Sequence, residues 1–168
     1  MIKSILIINN HGAPRLLRIY SPLPPTVTPT DLVRTVFLAC ASRPDSFCNY
    51  LQIPGLESSL GWGPINLVYR HYATLYFVFC VDQTESTLGI LDLIQVLVES
   101  LDRTFSNVCE LDLIFHSDKV MYVLDEIVSG GMVLETNIGS VLEGVREQGK
   151  LSKGSLRMGE GGGDEYRR

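Results

Sequence analysis

The sequence predicts an α/β fold of the α+β kind, a mainly antiparallel five-stranded sheet with helices packed on its faces. Three observations carry this. Runs rich in β-branched and aromatic residues follow one another across turn-sized breaks, at Ile2 to Ile8 with Arg15 to Tyr20 and at Ile65 to Tyr69 with Ala73 to Val81. Ala73 to Val81 is almost continuously apolar, the pattern of a strand covered on both faces. Apolar residues at helical spacing then dominate the second half, so the order reads β-β-α-β-β-β-α-α-α.

Taken in order, Asn9-Asn10-His11-Gly12 supplies turn residues that tolerate positive φ, making the first two strands a hairpin. Ser21 to Pro29 holds four prolines and reads as a loop. A helix opens with Thr28 as N-cap, Pro29 at its first position and Asp31 at its third; Leu32, Val33, Val36, Phe37 and Cys40 form its apolar face, and Arg43-Pro44 ends it. Phe47 to Leu51 is a short strand. Residues 52 to 64, rich in Gly, Pro and Ser, read as an exposed insertion. Trp62 within it is read as a ring folded onto its own domain, in preference to a partner contact.

In the next strand pair, Arg70-His71-Tyr72 is the polar hinge. Thr84 and Ser86 are candidate caps for a long helix whose stripe is Ile90, Ile94, Leu97, Val98, Leu101 and Phe105. Burying six such side chains, at about 1.5–3 kcal/mol each, makes it the largest single contribution to the core. Ser117 or Asp118 caps another helix, stopped by Gly130-Gly131. Thr136 caps a last one, weakened by Gly139 and Gly144 at about 1 kcal/mol each, so that it needs a surface to lie on. The domain is expected to span residues 1–149, with residues 150–168 a disordered tail.

The 168-residue chain is long enough for one unstapled core. Its net charge of −5 gives no basic field for nucleic acid. Cys40, Cys48, Cys80 and Cys109 lack C-x-x-C spacing, which favours reduced, cytosolic cysteines. No signal peptide and no membrane-length apolar run are read. His11, His71 and His116 fall in three separate loops, without metal-ligand spacing. No Walker loop, nucleophile elbow or dinucleotide fingerprint is present, so no cofactor is expected and binding or scaffolding outranks catalysis. Glu110 and Asp112 read as solvated carboxylates.

YRHYATLYFVFCVD (69 to 82), LGILDLIQV (88 to 96), NVCELDLIFH (107 to 116) and GGMVLETN (130 to 137) closely resemble the small, or sigma, subunit of clathrin-type adaptor complexes. MIKSILIINNHGAPRLLRIY (1 to 20) is similar to the start of the same subunit, and Tyr69-Arg70-His71 with GILDLIQV favours the third adaptor complex. The resemblance implies a longin-like domain and no enzyme activity. It implies a direct, obligate large-subunit partner, within a heterotetramer that also holds a second large chain and a medium chain. It further implies a place on the cytosolic face of Golgi or endosomal membranes and vesicles, reached through the complex, on a route towards the lysosome or vacuole. A coatomer small chain or another longin-type module is the alternative reading.

The resemblance also carries a site for acidic dileucine signals, acidic-x-x-x-Leu-Leu/Ile. Ala73 and Leu75 would contribute from one face of the central strand, Val98 from the long helix, and Asn107, Val108 and Leu113 from the segment after it. Arg15 would face the upstream acid. Two adjacent leucines need two apolar pockets, Asn107 can hydrogen-bond a peptide main chain, and Arg15 is a long-reaching cation. The blander readings stay open: Leu75, Val98 and Leu113 fit any core of this pattern, Asn107 fits a helix C-terminus, and Arg15 fits a solvated strand position.

Overall fold

In the computed structural model, residues 1–44, 49–53, 55 and 59–159 are described, with side chains as far as residue 151. The elements are β1 (Ile2–Asn9), β2 (Pro14–Ile19), α1 (Pro29–Ala41), β3 (Tyr50–Leu51), β4 (Ile65–Tyr72) and β5 (Leu75–Asp82). They are followed by α2 (Thr87–Phe105), α3 (Glu110–Phe115), α4 (Ser117–Ile127), β6 (Val128–Ser129), β7 (Met132–Val133) and α5 (Ile138–Gly159). Five strands form one antiparallel sheet in the order β2-β1-β5-β4-β3, and β6 and β7 form a separate hairpin.

The central strand β5 is covered on both faces, as its continuous apolar run requires. Leu75, Phe77, Phe79 and Val81 face a core built with Ile90, Ile94, Leu97 and Leu101 of α2 and Val123, Leu124 and Ile127 of α4. Val78 and Cys80 face the opposite core, closed by Leu32, Val33, Val36 and Cys40 of α1. Burial drives the thiols of Cys40 and Cys80 up to about 12, so both are inert apolar side chains. Cys109 is exposed, and Cys48 lies outside the described residues.

Helices α1 and α2 start where their caps place them. Thr28 and Asp31 form a reciprocal capping box on α1, with Pro29 at the first position. Ser86 caps α2 through Gly89 N at 3.3 Å, while the Thr84 hydroxyl donates to Asp82 at 2.5 Å.

Several expectations are corrected. The β4–β5 turn is Ala73-Thr74, not Arg70 to Tyr72, which lie in β4. Ala73 has φ +51°, a left-handed conformation that costs a non-glycine residue about 1–2 kcal/mol, and Asn10 N braces the turn through Thr74 O at 2.9 Å. The strand expected over 47–51 is described only at Tyr50–Leu51, residues 47 and 48 lying outside the described residues.

The 52–64 insertion is not wholly exposed. Leu60 is buried in the α1-side core, and Trp62 packs on that core while donating to Pro22 O at 2.9 Å. Helix α4 ends at Ile127, and Gly130-Gly131 turns the β6–β7 hairpin with φ of +58° and +80°. Helix α5 is capped by Asn137, whose Oδ1 accepts from Ser140 N at 3.2 Å, rather than by Thr136. The helix also crosses the boundary expected at 149 and runs to Gly159, since Lys150, Leu151, Lys153 and Leu156 are good helix formers. The rest of the expected tail, 160–168, lies outside the described residues.

Candidate functional site

One end of the sheet, where β1 turns into β2 and β4 into β5, gathers most of the expected site. Its organising feature is a bulge. Ile7 pairs with Leu16 and Ile8 with Pro14, which leaves Arg15 as an extra residue in β2 and shifts the register. Such a bulge re-aims the side chain it carries. Arg15 Nε donates to Glu110 Oε1, the first residue of α3, at 2.7 Å. Asn9 Nδ2 donates to the same oxygen at 3.0 Å.

The Asn9 amide is itself fixed, because its Oδ1 accepts from His11 N at 3.0 Å and Ala13 N at 2.8 Å, closing the β1–β2 turn. Both members of the Arg15–Glu110 pair are about one-quarter exposed, at 25% and 27%. Hydrogen bonds from Arg15 and then Asn9, helped by the charges of Arg15 and His11, hold the Glu110 carboxyl below the usual glutamate range.

The apolar part lies beside this cluster. Leu75 pairs with Asn9 across β5 and β1 and is 7% exposed. Leu113, one turn beyond Glu110 on α3, is 1% exposed in the same core, and Val98 and Val108 pack against that core half-buried. Helix α3 follows a tight turn. Asp102 accepts Asn107 N through its carbonyl at 3.2 Å and Val108 N through its carboxylate at 3.1 Å. Ser106 and Asn107 both take positive φ, +56° and +81°.

Arg15 meets α3 through Glu110, Leu75 and Leu113 belong to the helix-side core, and Val98 and Val108 pack against that same core. Ala73 is at the same end but does not share a strand face with Leu75; it sits on the exposed turn. Asn107 terminates α2 through its backbone and leaves its side chain exposed. Glu110 and Asp112, though partly exposed, are not merely solvated carboxylates: Glu110 holds Arg15 and Asn9, and Asp112 accepts from Cys109 N at 2.9 Å to cap α3. Glu110 and Asn9 are the members that sequence reasoning missed. The capping signal of Cys109 to Asp112 could have located α3, but nothing local marks Glu110 as the partner of Arg15. Among the described residues no cluster of His, Cys, Asp and Glu could hold a metal ion, and no helix is long and apolar enough to cross a membrane. The arrangement holds one cation, Arg15, paired with Glu110 at the edge of the helix-side core.

A family model for the clathrin adaptor complex small chain matches residues 1–152. AP-3 complex subunit sigma-2 of Homo sapiens is 54% identical over 153 residues, covering 91% of this chain and 77% of its own length. The AP-3 complex subunit sigma of Dictyostelium discoideum is 53% identical, covering 91% of this chain and 88% of its own. That of Arabidopsis thaliana is 49% identical over 92% and 90%. Among structures, a chain in a homology model of the full-length AP-3 complex in a stretched open conformation superimposes with a TM-score of 0.70. It is 39% identical in sequence, with 94% of this chain and 99% of that chain covered.

Proposed function

The chain belongs to the clathrin adaptor complex small-chain family, as an AP-3-type small subunit, and from that premise we propose that it binds acidic dileucine signals in the cytosolic tails of membrane cargo. It does so within a heterotetramer, packed directly on one large chain beside a second large chain and a medium chain. Its membrane contact is indirect, through the complex, on Golgi or endosomal membranes and on the route towards the lysosome or vacuole.

The observation that carries the binding reading is Arg15, aimed by a β-bulge to one end of the sheet beside Leu75, Val108 and Leu113. A peptide acid ahead of two leucines matches that order of charge and apolar side chains, of which Leu75 and Leu113 are buried and would have to be uncovered for the leucines to enter. Val98 would complete the apolar lining, the exposed Asn107 amide would meet the peptide main chain, and the small Ala73 on its turn would leave the approach open.

The test is peptide binding by the assembled complex. Arg15→Ala should weaken an acidic-x-x-x-Leu-Leu peptide about tenfold, the scale of one charge-assisted hydrogen bond, while the subunits still co-purify in equal amounts. Equal affinity of parent and variant would remove Arg15 and the site built on it.

A further inference from the structure

The cation assigned to the peptide's acid is held by an acid of its own chain. We propose that Glu110 is a self-ligand that competes with the acidic residue of the incoming peptide for Arg15, so that a peptide carboxylate engages Arg15 by displacing Glu110. This rests on the cargo-binding reading given above.

Three observations point to it. The donors that hold the Glu110 carboxylate are built by the sheet and not by Glu110: the bulge sets Arg15, and two backbone N–H groups lock Asn9. Another carboxylate reaching the same place therefore meets the same two donors, Arg15 Nε and Asn9 Nδ2. Second, Glu110 opens a helix of only six residues whose outer face is solvent, with Leu111 and Phe115 exposed. Its release disturbs one turn and not a long packed element. Third, the same segment carries the apolar residues of the site: Val108 lies two residues before Glu110 and Leu113 three after it, with Leu113 buried. The acid and the leucines of one peptide would therefore meet the same short segment, the acid at Glu110 and the leucines at Val108 and Leu113.

The test uses the assembled complex, Glu110→Gln, and two peptides that differ only in whether the upstream acid is Glu or Gln. The glutamine keeps an acceptor oxygen for Arg15 and Asn9 but removes the competing charge. Affinity for the Glu peptide should rise about two- to fivefold, the scale of one partly exposed charge pair, while the Gln peptide changes little. Glu110→Ala is the second variant and should move in the same direction. If either variant binds both peptides more weakly, or changes both equally, Glu110 is a structural staple and the proposal fails. Arg15→Ala in the same assay separates the two readings. If Arg15→Ala weakens the Glu peptide while Glu110→Gln gains nothing, only the self-ligand falls. If Arg15→Ala changes nothing, the site itself falls and the self-ligand with it.

Discussion

At the scale of single residues, the chemistry of the site is set by the extra residue in β2. A strand read from its alternation is assumed to keep register, and a residue at Arg15 is then assigned by parity to one face. The bulge breaks that parity and turns Arg15 to a partner 95 residues later. The resemblance marked Arg15 as a candidate cation for a peptide acid; nothing in the local sequence could show that Glu110 would be its partner. The pairing has a pH consequence with a definite sign. The Glu110 carboxyl titrates lower in the folded chain than in the unfolded one, because Arg15 and Asn9 bind its charged form. Its contribution to stability is therefore complete above the ordinary glutamate pKa of about 4.3 and is lost as the pH falls through the depressed folded value. Glu110→Gln lacks that contribution. The gap in Tm between parent and variant should be widest near about pH 6 and narrow towards about pH 3. A gap that widens towards acid would show that Glu110 does not titrate as an ion pair. Both side chains are partly exposed, so the whole effect is small and should shrink further in salt.

At the scale of elements, length decided what could be read. Strands β1, β4 and β5, at eight residues each, and α2, at nineteen, show their period within themselves. Helix α3, at six, and the two-residue strands β6 and β7 do not, and their positions follow from contacts distant in sequence. The hairpin is the clearer case. Gly130-Gly131 is equally plausible as a helix stop; its role as a turn depends on β1, because Ile2 N donates to Gly131 O at 2.9 Å. The two glycines are not equivalent. A Cβ at Gly130 meets open space, whereas one at Gly131 would overlap the Ile2 carbonyl oxygen. Gly130→Ala should therefore cost only the left-handed backbone penalty, about 1–2 kcal/mol. Gly131→Ala adds a collision with main chain and should cost about 2–5 kcal/mol in all. Urea unfolding of the dilute, refolded chain measures both, and equal midpoints for the two variants would refute the docking of this hairpin on β1. The glycine-weakened α5 is explained in the same terms. It lies on α4 and α2, with Val141 in the core and Gly144 giving room to the Glu126 side chain, which Gln148 holds from the next turn of the helix.

At the scale of the whole molecule, the fold class was legible because its three-layer logic is written in composition. A central strand apolar on both faces demands helices on both sides, and the helices that follow it have apolar stripes to supply them. The site was less legible, since it depends on where sheet, turn and short helix meet. The surface adds a fact that no periodicity shows. Isolated exposed apolar side chains are ordinary, but here they come in runs. Leu111, Ile114 and Phe115 are exposed on α3, the last at 73%, and Met132, Val133 and Leu134 are exposed consecutively at the hairpin. A chain that assembles with larger subunits has a reason to present such surface, and among the described residues none covers it. Expressed alone, the chain should go largely to the insoluble fraction or aggregate at micromolar concentration, and co-expression with a large subunit of the complex should return it to the soluble fraction at equal stoichiometry. Replacing Met132 and Leu134 together by serine discriminates the cause: if that run is what drives aggregation, the double variant is more soluble alone and is recovered less well with the large chain. A monodisperse monomer at about 100 μM, unaffected by either change, would mean that these side chains are tolerated exposure and that assembly is held elsewhere on the molecule.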